Sequence, residues 1–193
     1  MLKAAVIGAT GYAGVELVRL LTQHPHVHIS SVVSRSFAGQ NISDIYPNLR
    51  GVLDTACEEL HVDEISKTCD VVFTALPHGA SKDIVPLLSR CGVKVIDLSA
   101  DFRYNSQEVY EKTYGLSHPM PDLLREAVYG LPELHREKIK DAKIVGNPGC
   151  YTTCSILGAA PLIKNRLIET KNIIIDAKSG VSGAGRELNL AYH

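Results

Sequence analysis

The sequence predicts an α/β protein: a doubly wound, Rossmann-like parallel sheet followed by the start of an α+β catalytic domain. Three observations predict it. A short apolar run, Leu2 to Ile7 (LKAAVI), passes into a glycine-spaced turn and then into a helical pattern. Strand-like and helical segments then alternate as far as Cys150, which specifies a parallel sheet covered on both faces. Beyond Cys150 the chain offers one more helix and one more strand, too little to bury their own apolar faces. The expected division is therefore residues 1–149 as one domain, a doubly wound sheet, and 150–193 as the beginning of a second.

Each element has its own signal. After the first strand, Val15, Val18 and Leu21 fall on one helical face, and Pro25 closes that helix. Val27 to Val33 (VHISSVV) reads as the second strand, which completes a βαβ unit. A short strand is expected near Val52, then Val71 to Ala75 (VVFTA), a helix over Ser81 to Arg90, and a strand over Val93 to Leu98. From about Ala100 to Arg136 periodicity fades and prolines accumulate, which predicts loops and short helices on the rim of the sheet. His135 to Lys140 reads as a solvated helix face. Lys143 to Val145 predicts a last short strand, Cys150 to Asn165 a helix, and Asn172 to Lys178 (NIIIDAK) a strand.

Composition narrows the function classes. Apolar residues make up 45% and charged residues 21%, with a net charge of −1, as in ordinary soluble globular proteins. Lys and Arg number 20 against 21 Asp and Glu, without a long basic run, so neither nucleic acid nor an anionic membrane is expected as a partner. The N-terminus has no signal-peptide pattern and no stretch has the length of a membrane span, so the cytoplasm is the expected compartment. Five cysteines (Cys57, Cys69, Cys91, Cys150 and Cys154) without CxxC spacing argue against a disulfide framework and against a metal site.

Gly8, Gly11 and Gly14 form GxxGxxG, with Thr10, Tyr12 and Ala13 between them. Glycine is needed where the chain turns sharply, where backbone N–H groups approach a pyrophosphate, and where helix packs on strand; the helix N-terminus adds its dipole. This points to a dinucleotide. NAD-preferring folds carry an Asp or Glu about 20 residues on, at the end of the second strand. Here that position reads Ser34-Arg35-Ser36, with a guanidinium and two hydroxyls suited to a 2′-phosphate, so NADP is expected over NAD. A solvated arginine is the alternative for Arg35. Leu76, Pro77 and His78 follow the carboxyl end of the strand Val71 to Ala75, where ligands of open parallel sheets bind, and His78 is expected to position rather than catalyse.

Asn147-Pro148-Gly149-Cys150 places a cysteine in the first turn of a helix, where unpaired N–H groups and the dipole favour a thiolate. On location alone Cys150 is either a nucleophile or a structural thiol. The other four cysteines are expected to be small buried hydrophobes. Arg103 suits a substrate anion, or else an ion pair with Asp101. Ser179 to Arg186, with Ser179, Gly180, Ser182 and Gly183, suits a phosphate-cradling loop, or else a flexible connector.

Six separated motifs occur in order: Gly8 to Leu17 (GATGYAGVEL), Leu76 to Gly79 (LPHG), Leu98 to Arg103 (LSADFR), Tyr129 to Leu134 (YGLPEL), Gly146 to Tyr151 (GNPGCY) and Ser179 to Arg186 (SGVSGAGR). On these the whole chain resembles the amino-terminal part of the N-acetyl-γ-glutamyl-phosphate reductase family, related in design to aspartate-semialdehyde dehydrogenase and, more distantly, to glyceraldehyde-3-phosphate dehydrogenase. The resemblance implies that Cys150 attacks N-acetylglutamyl phosphate, expels phosphate and forms a thioester, which NADPH reduces to N-acetylglutamate semialdehyde, the third step of arginine biosynthesis from glutamate. It also tips the Ser179 to Gly183 loop toward binding the acyl-phosphate substrate, for which Arg103 and Asn147 are further candidates, and implies that residues 150–193 begin a catalytic and dimerisation domain and that the full-length form is a homo-oligomer. A related acyl-phosphate reductase, acting on aspartyl phosphate or a lysine-pathway substrate, and a non-catalytic NADP-binding fragment are the alternatives. Members of the family are nearly twice as long, and their general acid/base is a histidine in the part that would follow His193. The chain as it stands is thus expected to bind cofactor and to turn over poorly, since general acid/base catalysis contributes roughly 10²–10⁴-fold.

Overall fold

A computed structural model of the protein describes residues 1–185. Strand β1 (Leu2–Ile7) is followed by helix α1 (Tyr12–Thr22), β2 (Val27–Val33), a one-turn helix α2 (Ile42–Ile45), a 3₁₀ turn (Pro47–Leu49), α3 (Val62–Thr68), β3 (Val71–Thr74), α4 (Ser81–Arg90) and β4 (Lys94–Asp97). Then come α5 (Gln107–Tyr114), α6 (Pro121–Glu126), β5 (Val128–Tyr129), α7 (Pro132–Asp141), β6 (Ile144–Gly146), α8 (Cys150–Lys164) and a 3₁₀ turn (Val181–Ala184). All six strands join one sheet in the order β2-β1-β3-β4-β6-β5. Every pairing in it is parallel, so the expected doubly wound sheet is present.

Alternation along β1 divides the core between the two faces of the sheet, because successive strand side chains point to opposite sides. Ala5 and Ile7 pack with Val72, Val95, Ile65, Val85 and Leu88 beneath α3 and α4. Ala4 and Val6 pack with Val18, Leu21, Ile29, Val32 and Ile42 beneath α1 and α2. Both faces being covered explains why β1 and β3 read as continuous apolar runs.

Three expectations about elements need correction. Val52 lies in a turn and is exposed, so no strand forms there; instead isolated bridges join Asn41 to Ala56 and Val33 to Glu58. Asn172 to Lys178 forms no strand, because Ile173, Ile174 and Ile175 are solvent-exposed and have no strand partner among the described residues. Within 100–136 the chain holds a true sixth strand, β5, which pairs with β6 through Val128 and Tyr129. The helices expected in that region are there. Ser106 caps α5 by accepting from the Val109 N–H (3.4 Å), and Gly115 (φ 67°) ends it. Helix α7 buries no residue, as a solvated helix should.

Candidate active site

Because β1 sits between β2 and β3, the chain leaves the carboxyl ends of β1 and β3 in different directions and opens a crevice, the usual ligand position in such sheets. The glycine turn forms one wall. Gly8 (φ 83°) lies so close to Ala75 that a Cβ would strike the Ala75 carbonyl. A Cβ on Gly14 would strike the Gly8 carbonyl and come within 2.9 Å of the Ala9 Cα. These two glycines let α1 and the end of β3 close tightly on β1. Gly11 is different: as N-cap of α1 its Cβ would meet nothing nearer than the Gly8 carbonyl at 3.5 Å. The protein's own packing does not require a glycine there, and the space it leaves faces the cleft.

The cleft has a volume of about 740 Å³. Gly8, Thr10 and Gly11 line it from the turn, Ser34, Arg35 and Ser36 from the end of β2, and Leu76 and Pro77 from the end of β3. Of the other cofactor candidates, Tyr12 and Ala13 are exposed on the first turn of α1 and Gly14 is buried beneath it; neither these three nor His78 line the cleft. Ser34 is buried, and its hydroxyl shares a hydrogen bond with that of Thr10 (2.7 Å). The Tyr46 hydroxyl donates to the Thr10 carbonyl (2.6 Å). Ser34 thus ties β2 to the glycine turn, while Arg35 and Ser36 are exposed. A volume of this size, bounded by a helix start with unpaired N–H groups and by a guanidinium, fits a dinucleotide.

The local sequence hid one residue of the cleft. Ser34 N–H donates to the Glu58 carbonyl (3.0 Å) and Glu58 N–H to the Val32 carbonyl (2.9 Å), so residues 58–60 run beside the end of β2 and Glu59 lines the cleft with Arg35. A carboxylate does stand near that strand end, brought there by a segment 24 positions further along the chain from Arg35.

The carboxyl ends of β3, β4 and β6 carry the remaining candidates. His78 Nδ1 accepts from the Ala100 N–H (3.0 Å), a positioning contact. Arg103 makes no ion pair with Asp101: its Nε donates to the Asn147 carbonyl (2.9 Å) and its Nη2 to the Leu98 carbonyl (3.1 Å). The ion-pair alternative fails because Asp101 is fully buried and taken by other donors, the N–H groups of Gly79 and Lys82 and the Tyr110 hydroxyl. Burial, and then the Asp101 carboxylate, push the Tyr110 phenol far above its usual value, so it stays a donor. Asn147 is fixed by its N–H on the Asp97 carbonyl (2.7 Å) and by its side-chain amide on the Pro148 carbonyl (3.1 Å).

Cys150 is the first residue of α8, exposed, with Gly149 as N-cap. A Cβ on Gly149 would lie 3.2 Å from Arg103 Nη1, so the guanidinium sits directly behind the cysteine turn. The thiol therefore stands at the same edge of the sheet as the cleft, at a helix start whose N–H groups can hold a developing oxyanion. Among the other cysteines, Cys57 and Cys69 are buried and burial raises their thiols, as expected of structural residues. Cys91 and Cys154 are exposed, contrary to expectation, because each lies at or near a helix end that nothing covers.

The glycine-rich loop is not brought to the cleft. Ser179, Gly180, Ser182 and Gly183 are exposed, Ser179 donates to the Gly180 carbonyl (3.1 Å), and none of them lines it. Arg186, the end of that motif, and Asn189 to His193 lie outside the described residues. No helix among the described residues is long and apolar enough to cross a membrane.

Comparison with known proteins agrees with this geometry. Residues 3–142 match the semialdehyde dehydrogenase NAD binding domain, and residues 150–193 match the semialdehyde dehydrogenase dimerisation domain. Over 192 residues the chain is 61% identical to the N-acetyl-gamma-glutamyl-phosphate reductase of Acetivibrio thermocellus, and over 193 residues 53% identical to that of Halothermothrix orenii. Each alignment takes in 100% of this chain and 56% of the relative, so the chain spans about half the length of the curated relatives it matches. Two solved structures share the fold. An aspartate semialdehyde dehydrogenase with NADP from Candida albicans has a TM-score of 0.66 at 21% identity, over 86% of this chain and 47% of that one. Aspartate semialdehyde dehydrogenase II from Vibrio cholerae has a TM-score of 0.66 at 19% identity, over 96% and 48%. With a parallel sheet, a glycine-turn cleft and these matches, the chain belongs to the semialdehyde dehydrogenase family.

Proposed function

We propose that the chain is the cofactor-binding and nucleophile-bearing part of an NADP-dependent N-acetyl-γ-glutamyl-phosphate reductase, divided at Gly149 and Cys150 into a nucleotide-binding domain and the beginning of a catalytic domain. The observation that carries it is the exposed Cys150 thiol on the first turn of α8, at the same sheet edge as the glycine-turn cleft. The names of the relatives supply the substrate. Arg35 and Ser36, exposed at the end of β2, favour a 2′-phosphate and hence NADP. Assembly into a homo-oligomer is supported by the dimerisation-domain match over residues 150–193. The cysteines, free in all five cases, suit the reducing cytoplasm.

The Gly8 to Gly14 turn would hold the pyrophosphate of the cofactor on its backbone N–H groups, with Leu76 and Pro77 on the opposite wall. What a bound NADPH supplies is a hydride. Cys150 Sγ attacks the acyl carbon of the acyl phosphate; the bond from that carbon to the phosphate oxygen breaks, inorganic phosphate leaves with the electron pair, and the acyl group remains on sulfur as a thioester. A thioester is reactive enough to be reduced where a carboxylate is not. Arg103 fixes the Asn147 to Gly149 turn from behind, and its guanidinium adds positive charge where the substrate anion arrives. Ser179, Gly180, Ser182 and Gly183 are assigned to substrate on the resemblance of their motif alone.

The acylation half-reaction tests this reading in the chain as it stands. With N-acetylglutamyl phosphate, one equivalent of phosphate per chain is expected, with a matching mass increase on the peptide holding Cys150, and neither in Cys150→Ser. Equal phosphate release by the variant overturns the nucleophile assignment. A burst with aspartyl phosphate and none with the N-acetylated compound would transfer the chain to the related reductases.

A further inference from the structure

Three loops meet at the carboxyl edge of the sheet: 75–80 after β3, 98–103 after β4 and 147–149 after β6. One side chain lies between the first two with no exposure at all. Both carboxylate oxygens of Asp101 face the Gly79 N–H (2.9 and 3.1 Å), one also accepts from the Lys82 N–H (3.1 Å), and the other accepts from the Tyr110 hydroxyl (2.9 Å). Lys82 is the second residue of α4, whose own N-cap, Ala80, supplies no side-chain cap. Asp101 is thus the cap of α4, reaching it from 19 positions away in sequence, and a carboxylate suits the positive end of a helix. Gly79, which shares the carboxylate, has φ 85° and directly follows Leu76 to His78.

Asp101 is held from below in turn. Its N–H donates to the Ser99 hydroxyl (3.0 Å), which donates to Asp97 (2.6 Å), and Asp97 also accepts from the Thr74 hydroxyl (2.6 Å) at the end of β3. Two residues past Asp101, Arg103 grips Leu98 and Asn147 and backs Gly149. Each of these contacts to the Asp101 carboxylate comes from a donor.

We infer that Asp101 is a positioning residue that locks the cofactor-side loop 76–79 to the segment carrying Arg103, and through Arg103 to the Cys150 turn. It touches neither ligand nor reacting atom and acts through Gly79, α4 and Arg103. The inference rests on the proposed cofactor cleft for one of its two arms and on geometry alone for the other. Asp101→Asn is isosteric, yet its amide must turn a donor toward a ring of donors and leave at least one N–H or O–H unpaired.

The test compares two ligands and one reaction rate in the folded chain, with circular dichroism as the check on folding. In the proposed cleft NADP⁺ would reach from the glycine turn to Leu76 and Pro77, whereas the shorter 2′,5′-ADP would need only the β2 and glycine-turn side. In D101N the affinity for NADP⁺ is expected to fall about tenfold, the size of a lost charge-assisted hydrogen bond, with 2′,5′-ADP changed by less than about twofold. Alkylation of Cys150 by iodoacetamide is expected to slow severalfold. An equal fall in both affinities, or an alkylation rate equal to that of the unmodified chain, overturns the inference. Should D101N not fold, Tyr110→Phe, which removes a single donor, must show the same selective loss in smaller measure. If the unmodified chain binds no NADP⁺, the cofactor reading fails, and the alkylation rate still decides the role of Asp101.

Discussion

In α1, eleven residues long, Val18 and Leu21 are buried against the sheet; in α8, fifteen residues long and with Ile156, Leu157, Leu162 and Ile163 along it, no residue is buried. The contrast extends to the flanking chain. Val6, Val32 and Val72 in the strands have no exposure, while Ile174 is 92% exposed and Ile173, Ile175 and Val181 are exposed too. Apolar residues are no rarer after Gly149 than before it, so burial follows from neighbours: before Gly149 six strands supply them, and after it the described residues include no strand. Ile156, Ile163, Ile173 and Ile175 line a shallow apolar groove of about 510 Å³, the kind of face that the rest of a domain or a second subunit covers. Cys150, the proposed nucleophile, sits at the seam, on an uncovered helix whose first turn is anchored to the packed part through Arg103.

The strongest way to break this comparison is to disturb the packed side where it has no slack. Gly14→Ala puts a methyl group into the Gly8 carbonyl and against the Ala9 backbone, and no rotamer relieves a clash made by Cβ itself. Destabilisation of about 1–3 kcal/mol is expected from overpacking, together with loss of dinucleotide binding, because α1 must lift off the turn. Urea unfolding and a binding isotherm measure the two effects. Wild-type stability in this variant would mean that the close approach of α1 to β1 is not what the sheet depends on.

The same contrast explains what could be read from the residues alone. The bounds of β1, β2 and α4 were legible because apolar spacing and the Gly and Pro punctuation are local signals. The Val71 and Cys150 elements were placed to within a residue for the same reason. The two-residue β5 was not, since Val128 and Tyr129 become a strand only through pairing with β6. The apolar β-type run Ile173 to Ile175 reads as a strand because periodicity cannot tell whether a partner strand exists. In the candidate site, the places of Gly8, Gly11 and Arg35 on the cleft and of Cys150 at the start of α8 are legible from their positions relative to elements. Asp101 was visible only as a neighbour of Arg103, because its donors Gly79, Lys82 and Tyr110 come from three other segments. Glu59 was hidden likewise, reaching the end of β2 through a bridge between positions 33 and 58.

A smaller effect, in pH dependence, sharpens the picture of the packed side. His118 is buried between Phe102 and Tyr110, each ring 5.1 Å away and edge-on, and its Nδ1 accepts from the Met120 N–H (3.2 Å). Burial lowers its proton affinity below the ordinary histidine value, the nearby Asp101 only partly offsetting this. The unfolded chain therefore takes up a proton at about pH 6.5, where the folded chain does not. Stability from this group is present above that pH and is lost as pH falls through it toward the folded value. His118→Asn, which keeps an acceptor near Met120, is expected to flatten the acid limb of stability against pH by at most about 1.4 kcal/mol per pH unit. Urea midpoints between pH 7 and pH 5 read this directly, and an unchanged slope would show that His118 is protonated equally in both states.

The smallest effect expected belongs to the uncovered side, and for that reason it tests the comparison most closely. Ile174→Ser removes a large apolar side chain from a position already in water, so almost no area returns to solvent on unfolding and no cavity is left. A change within about ±0.5 kcal/mol in the chain as it stands is expected, and solubility should rise as the apolar face shrinks. Chain copies that associate through this face would give a different result: the substitution would then weaken self-association, visible as a concentration-dependent fall in apparent mass by sedimentation or light scattering. A loss of several kcal/mol in a chain that stays monomeric would mean that Ile174 is buried in solution, and the line drawn at Gly149 between packed and uncovered chain would have to move.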